Sequence, residues 1–421
     1  MTTNLAAGPL PRPTPWRRLA ATGLLALLCA GLAATFTTTG AQAQAQAQGG
    51  KARAVPEPLP PDPPLGTLPR IDAKHGQRVY VIDLAISHIS DGRIRVLDAI
   101  SGRFLGMVST AYVGNMALSP QRDTLYVATT HLSRSTRGDR ADVLEVYGAD
   151  DLAFKYEVLL PAKRAQALNY RWLVSTSANG RFVFVQNATP ATSVTVVDLQ
   201  TRSVAAEVPT PGCWGALPAA GHPSRFSTLC GDGTMATVTL DESGKPADRQ
   251  VSAKLFDADA DAWFHNAERV GDRYWYVSFQ GKVTELDLGG AVAQVKATHD
   301  LIATPAERKA GWRPGGYQVA AVDPSGRYLV AGMHSKGGEG SHKLPAEKLF
   351  VLDLATGKRL PSLPGNMAIA MTFSASGQRL HVLDGATNTL HVMGWKDGRT
   401  TRTLAKLAGV GETITQLESH D

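Results

Sequence analysis

Residues 325–364, SGRYLVAGMHSKGGEGSHKLPAEKLFVLDLATGKRLPSLP, decide the fold. Ser325-Gly326-Arg327 is a Gly-led turn that opens a short strand, Tyr328 to Ala331. A polar, Gly-rich loop follows, then a second strand, Lys348 to Leu354. Thr356-Gly357 turns the chain into a third strand that ends at Pro364. Short runs rich in Val, Leu, Phe and Tyr between Gly, Asp, Ser and Pro form antiparallel meanders. One meander cannot bury its own apolar faces, so the fold depends on whether the unit recurs.

It recurs along the chain. Aligned first strands are Val79-Tyr80-Val81, Leu125-Tyr126-Val127, Phe182-Val183-Phe184, Phe226-Ser227-Thr228, Tyr274-Trp275-Tyr276, Tyr328-Leu329-Val330 and Leu380-His381-Val382, roughly 45 to 57 residues apart. Turns such as Asp91-Gly92-Arg93, Asn179-Gly180-Arg181 and Ser376-Gly377-Gln378 announce most of them. Second strands close on Asp at Val96-Leu97-Asp98, Val196-Val197-Asp198, Glu285-Leu286-Asp287 and Val351-Leu352-Asp353. A period near 50 with three or four strands per unit predicts an all-β, seven-bladed β-propeller, since radial stacking of twisted sheets buries both faces of each. A pair of β-sandwiches and an eight-bladed count are the alternatives.

The 421-residue chain divides into three parts. In residues 1–47, Arg12, Arg17 and Arg18 precede an apolar run from Leu19 to Leu32 and an Ala-Gln tract with small-x-small cleavage sites, which predicts an export signal. The run is short and Ala/Gly-rich for a spanning helix, so no membrane span is expected in the mature chain. Residues 48–70 form a Pro-rich arm that cannot be helix or inner strand. Residues 71–421 show no further shift in composition and read as one large propeller. Short helical turns are expected on its rim at Pro161 to Asn169 and Thr304 to Lys309.

The formal charge is +6, from 43 basic and 37 acidic residues, and loss of the three leader arginines lowers it by three. That mild excess, without a concentrated basic face, argues against nucleic acid as a partner. Cys29 lies in the leader, which leaves Cys213 and Cys230 as an even pair in an exported chain. A disulfide between them is expected in an oxidising compartment. No catalytic set stands out. The histidines are scattered without zinc spacing, Lys336 to Lys343 lacks the P-loop spacing, and no G-x-S-x-G turn occurs, so neither a metal site nor a catalytic residue is assigned to this chain.

Several tracts carry a resemblance. Ser101 to Val108 (SGRFLGMV), Arg137 to Val146 (RGDRADVLEV), Cys213-Trp214 with Cys230-Gly231-Asp232-Gly233, and Trp312 to Tyr317 (WRPGGY) resemble the heavy chain of quinoprotein amine dehydrogenases, in the same order over nearly all of the mature chain. Leu168-Asn169-Tyr170, Gln186 to Ser193 and Gly338 to Lys343 resemble the aromatic (aralkyl) amine branch more than the methylamine branch. The resemblance implies a seven-bladed heavy subunit paired with a small, disulfide-rich light chain in a periplasmic α2β2 heterotetramer. The light chain would carry tryptophan tryptophylquinone and the catalytic base. Primary amines would leave as aldehyde and ammonia, with electrons passed to a blue-copper protein of the azurin or amicyanin kind. It further implies that Tyr112 stands where the family has a Phe closing the substrate channel, and that Asn115 replaces a following His, so both are substrate-channel candidates. Trp214, Trp263, Trp275 and Trp312 would then be packing or interface residues. Two other readings stay open: a methylamine dehydrogenase heavy chain, and an exported propeller, such as a binding protein or lactonase, with no amine chemistry.

Overall fold

The computed structural model describes residues 71, 77–167 and 169–421. The expected export signal (1–47) and the Pro-rich arm (48–70) lie outside the described residues. The described residues of 77–421 form antiparallel sheets, each a meander in chain order except that the last strand joins the first sheet.

Alternation explains how the sheets stack. In the strand Arg78–Asp83, Tyr80 and Ile82 enter a core with Met116, Leu125 and Val127 of the next sheet, while Val79 and Val81 enter another with Leu383, Leu390 and Val392 of the last. A period-2 pattern thus feeds two different cores, one on each face. The same sharing continues from sheet to sheet until the cores form a closed ring. Burial falls from the middle of each sheet outward. Phe182–Asn187 is buried throughout, whereas Pro246–Val251, an outermost strand, is exposed throughout.

The first and last strands of the described residues share one sheet. The C-terminal strand Ile414–Ser419 pairs with Arg78–Asp83, followed by Gly92–Asp98 and Phe104–Ala111. The ring is therefore closed by hydrogen bonds between its first and last strands.

Two expectations need correction. Seven equal blades are not formed: five four-stranded sheets stand alone, and the remaining strands make a single eight-stranded sheet. The reason lies in the opening stretch. The strand expected to end at Pro364 runs without a break from Lys358 to Phe373, pairing first with Ala346–Asp353 and then with Arg379–Asp384. Asn366 and Met367 at positive φ bend it there. A Cβ on Gly365 would meet Ala346 O at 2.2 Å, so the crossing needs glycine. The halves of this sheet pack on each other through Val330, Val351, Val382 and Trp395. Second, six of the seven expected first strands stand second in the order of their sheet, and Leu380-His381-Val382 lies inside the eight-stranded sheet. A short innermost strand precedes several of them, for example Asn115–Leu118, Val174–Thr176 or Glu268–Val270.

Asp98, Asp198, Asp287 and Asp353 do end strands, and the chemistry of the next turn explains them. Oδ1 of Asp98 accepts from the N–H groups of Ile100 and Ser101, and Oδ1 of Asp353 from those of Ala355 and Thr356. Asp198 and Asp287 accept from Gln200 and Gly289 in the same way. The carboxylate replaces a missing ladder partner as the chain reverses. Of the two helical turns expected, Pro305–Lys309 forms, with a capping box in which Thr304 and Glu307 satisfy each other's N–H groups. Residues 161–167 form turns and one isolated bridge, Arg164 to Asn187.

Candidate functional site

Because strands alternate in direction, the connections between sheets and the hairpins between middle strands emerge at one common end. Tyr112 lies there, half-buried, in the connection from Phe104–Ala111 to Asn115–Leu118. Its neighbours Ala111 and Val113 both have positive φ, 40° and 49°. Non-glycine residues stay in that region only where their surroundings hold them.

The holding group is Arg164. This buried side chain donates from Nη2 to the Tyr112 carbonyl (2.9 Å) and from Nη1 to the Val113 carbonyl (2.9 Å) and Asn115 Oδ1 (3.3 Å). Asn115 is itself buried at the start of its strand, 2% exposed, so it faces the interior behind the loop. Arg164 also donates to Thr130 Oγ1, and its backbone N–H donates to Asp142. Burial lowers the Arg164 pKa to about 10, which leaves it charged at neutral pH. Burial tends to raise the Asp142 pKa, but hydrogen bonds from Arg140, Thr130 and the Arg164 backbone outweigh it and hold the carboxyl below its ordinary value.

Farther round the same end, five separate segments line a cavity of about 410 Å³. Tyr170, Phe264, Phe279 and Tyr317 supply aromatic walls, with Trp263 and His265 beside them. Trp263 is stacked between Phe256 (4.2 Å) and Tyr276 (4.8 Å), and His265 packs edge-on against Tyr170 at 5.2 Å. Burial pushes the His265 pKa down to about 4, so its ring is neutral. Glu339 and Lys343 of the Gly-rich loop stand exposed on the rim.

Along the axis, Arg171, Glu268 and Glu418 come from three sheets that do not neighbour one another. The guanidinium lies 2.5 Å from Glu268 and 2.7 Å from Glu418. Two cavities, about 470 and 400 Å³, share Arg122, Arg171, Arg269 and Glu418 in their linings.

Cys213 and Cys230 are joined, facing each other across adjacent strands. The structure keeps this pair apart from Tyr112 and Asn115, so the expected site residues fall into two places. Sequence reasoning missed Arg164 and the aromatic cavity. Arg164 sits in a turn with no motif around it, and the cavity's aromatic walls Tyr170, Phe264, Phe279 and Tyr317 come from four loops distant in sequence.

Residues 73–418 match the family described as methylamine dehydrogenase heavy chain (MADH). The chain belongs to the methylamine dehydrogenase heavy-chain family. Relatives agree: it is 28% identical over 357 residues to the methylamine dehydrogenase heavy chain of Methylobacillus flagellatus, covering 82% of each chain. It is 26% identical to that of Paracoccus versutus, covering 83% of this chain and 80% of the relative. Among solved structures, the periplasmic gluconolactonase of Pseudomonas aeruginosa has a TM-score of 0.55 at 16% identity, covering 82% of this chain and 98% of that one. A putative 6-phosphogluconolactonase of Bacteroides fragilis gives 0.56 at 12%, covering 82% and 98%. These likenesses concern the propeller fold alone. Family membership spans every sheet described above, and the Arg164-braced loop, the aromatic cavity and the axial triad all lie within the matched residues of this amine dehydrogenase heavy chain.

Proposed function

We propose that this chain is the heavy subunit of an exported, periplasmic quinoprotein amine dehydrogenase that converts primary aralkyl amines to aldehydes and ammonia. The family match over residues 73–418 carries the heavy-subunit reading, and the aralkyl preference rests on the resemblance of Leu168-Asn169-Tyr170, Gln186 to Ser193 and Gly338 to Lys343. Its partner is a small, disulfide-rich light chain in an α2β2 assembly, and its electron acceptor a blue-copper protein of the azurin or amicyanin kind. Tryptophan tryptophylquinone belongs to the light chain, where it supplies the electron sink for amine oxidation. Residues of the present chain fit a supporting role toward it: an aromatic side chain, Tyr112, is held half-exposed on a braced loop. In this reading Tyr112 borders the substrate path, Arg164 fixes its backbone while Asn115 accepts from the same guanidinium, and the loop keeps water from the amine's carbon end. A second reading, methylamine as the substrate, is supported by the methylamine dehydrogenase relatives.

The test is coexpression, with export, of this chain and its light chain, followed by purification and dye reduction with methylamine and 2-phenylethylamine. A coloured complex faster with 2-phenylethylamine is expected. Preference for methylamine selects the second reading, and a heavy chain that recruits no light chain and supports no amine oxidation overturns both.

A further inference from the structure

The aromatic cavity is well separated in sequence from the Tyr112 loop, and its makeup is selective. A volume of about 410 Å³ is in the range of small-molecule sites. Tyr170, Phe264, Phe279 and Tyr317 present ring faces and edges, and ring faces attract cations. The only carboxylate in the lining is Glu339, and it has no ion-pair or hydrogen-bond partner among the described residues. His265 is uncharged at neutral pH because burial opposes its protonation, so it adds no repulsion toward a cation. Lys343 on the rim is the one permanent opposing charge, with the exposed imidazole of His342 beside it.

We propose that this cavity is an ammonium site that takes a primary amine in protonated form with an aromatic body, the rings enclosing the body and Glu339 facing the ammonium. The choice of an amine as ligand rests on the proposed function, but the cavity is lined by none of the residues of the Tyr112 loop and needs no cofactor. It would gather the protonated amine on the heavy chain. An anion would meet the electron-rich ring faces and the Glu339 carboxylate together, which disfavours an arylalkyl carboxylate of similar size.

Calorimetric titration of the purified full-length chain, at low salt and neutral pH, tests this with 2-phenylethylammonium and 3-phenylpropionate. Saturable one-to-one binding of the ammonium is expected, with the carboxylate at least tenfold weaker. Glu339→Gln should weaken ammonium binding about threefold and Lys343→Gln should tighten it by a similar factor, as exposed charges act. Phe279→Ala should weaken it about tenfold; near-UV circular dichroism establishes that each variant is folded. No saturable binding, equal binding of the two ligands, or indifference to both charge substitutions overturns the site. So does loss of binding when the light chain is added, because the cavity then belongs to the subunit interface. Amine oxidation by the complex without binding to the heavy chain would remove this site and leave the proposed function intact. Binding without oxidation would do the reverse.

Discussion

Arg171 and Glu268 meet at 2.5 Å on the propeller axis, and Glu418 approaches the same guanidinium at 2.7 Å. One cation therefore serves two carboxylates, and Glu268 is the more enclosed of them. Burial raises the Glu268 pKa to about 7, with Arg171 opposing and Glu418 reinforcing the shift. The reference value is 4.5, so between the two the native state holds a proton that the unfolded chain has released. That contribution to stability is fully present below about 4.5 and is lost as pH rises through about 7. Urea midpoints measured from pH 5 to 8 should fall with pH, and Glu268→Gln should flatten the trend. An unchanged slope in the variant would remove Glu268 from the explanation.

Arg164 makes a second, pH-independent prediction. Arg164→Met removes the donor to the Tyr112 and Val113 carbonyls and to Asn115. Leaving buried acceptors unsatisfied costs about 1 to 3 kcal/mol each, so a loss of about 3 kcal/mol or more is expected in denaturant unfolding. Proteolysis near residues 111–115 should quicken. A loss under about 1 kcal/mol would mean that the left-handed pair Ala111 and Val113 holds its shape unaided.

The Cys213–Cys230 bridge closes a short loop between neighbouring strands. Cys213→Ala with Cys230→Ala should lower stability by about 3 kcal/mol, the loop-entropy expectation, while the fold persists. Thermal unfolding of the double variant measures this. Unreduced peptide mapping should recover the two cysteines in one linked fragment.

Repetition of short apolar strands made the architecture legible, since all seven aligned triplets fall inside strands, as do the strand-ending aspartates. Innermost strands were not legible. Val174–Thr176 and Glu268–Val270 have three residues each, too few to show alternation, and their pairing is set by neighbours distant in sequence. The continuous strand Lys358–Phe373 was hidden for the opposite reason. Pro361, Pro364 and Gly365 read locally as a boundary, yet the outcome depends on two partner strands on opposite sides. Among candidate site residues, the cysteine pair was legible from number and compartment. Tyr112 came from resemblance, and the aromatic cavity was invisible because no two of its walls Tyr170, Phe264, Phe279 and Tyr317 share a loop.

Tyr112 carries the functional prediction that is specific to the proposed subunit role. If its ring borders the substrate path, Tyr112→Ala should change relative kcat/KM between methylamine and 2-phenylethylamine by about tenfold or more, because one contact group in an apolar pocket is worth roughly 1 to 3 kcal/mol of discrimination. Its backbone is held through its carbonyl and N–H, so thermal stability should move far less. An unchanged amine profile in the reconstituted complex would make the ring a packing element.

Ring closure by Ile414–Ser419 imposes an order on biosynthesis. Until Ile414–Ser419 has been made, Arg78–Asp83 has no partner on its inner edge, and the nascent chain waits with an open ladder of N–H and C=O groups. A nonsense codon shortly before Ile414 would therefore act far beyond the strand it deletes, turning a closed ring into an edge that recruits other chains.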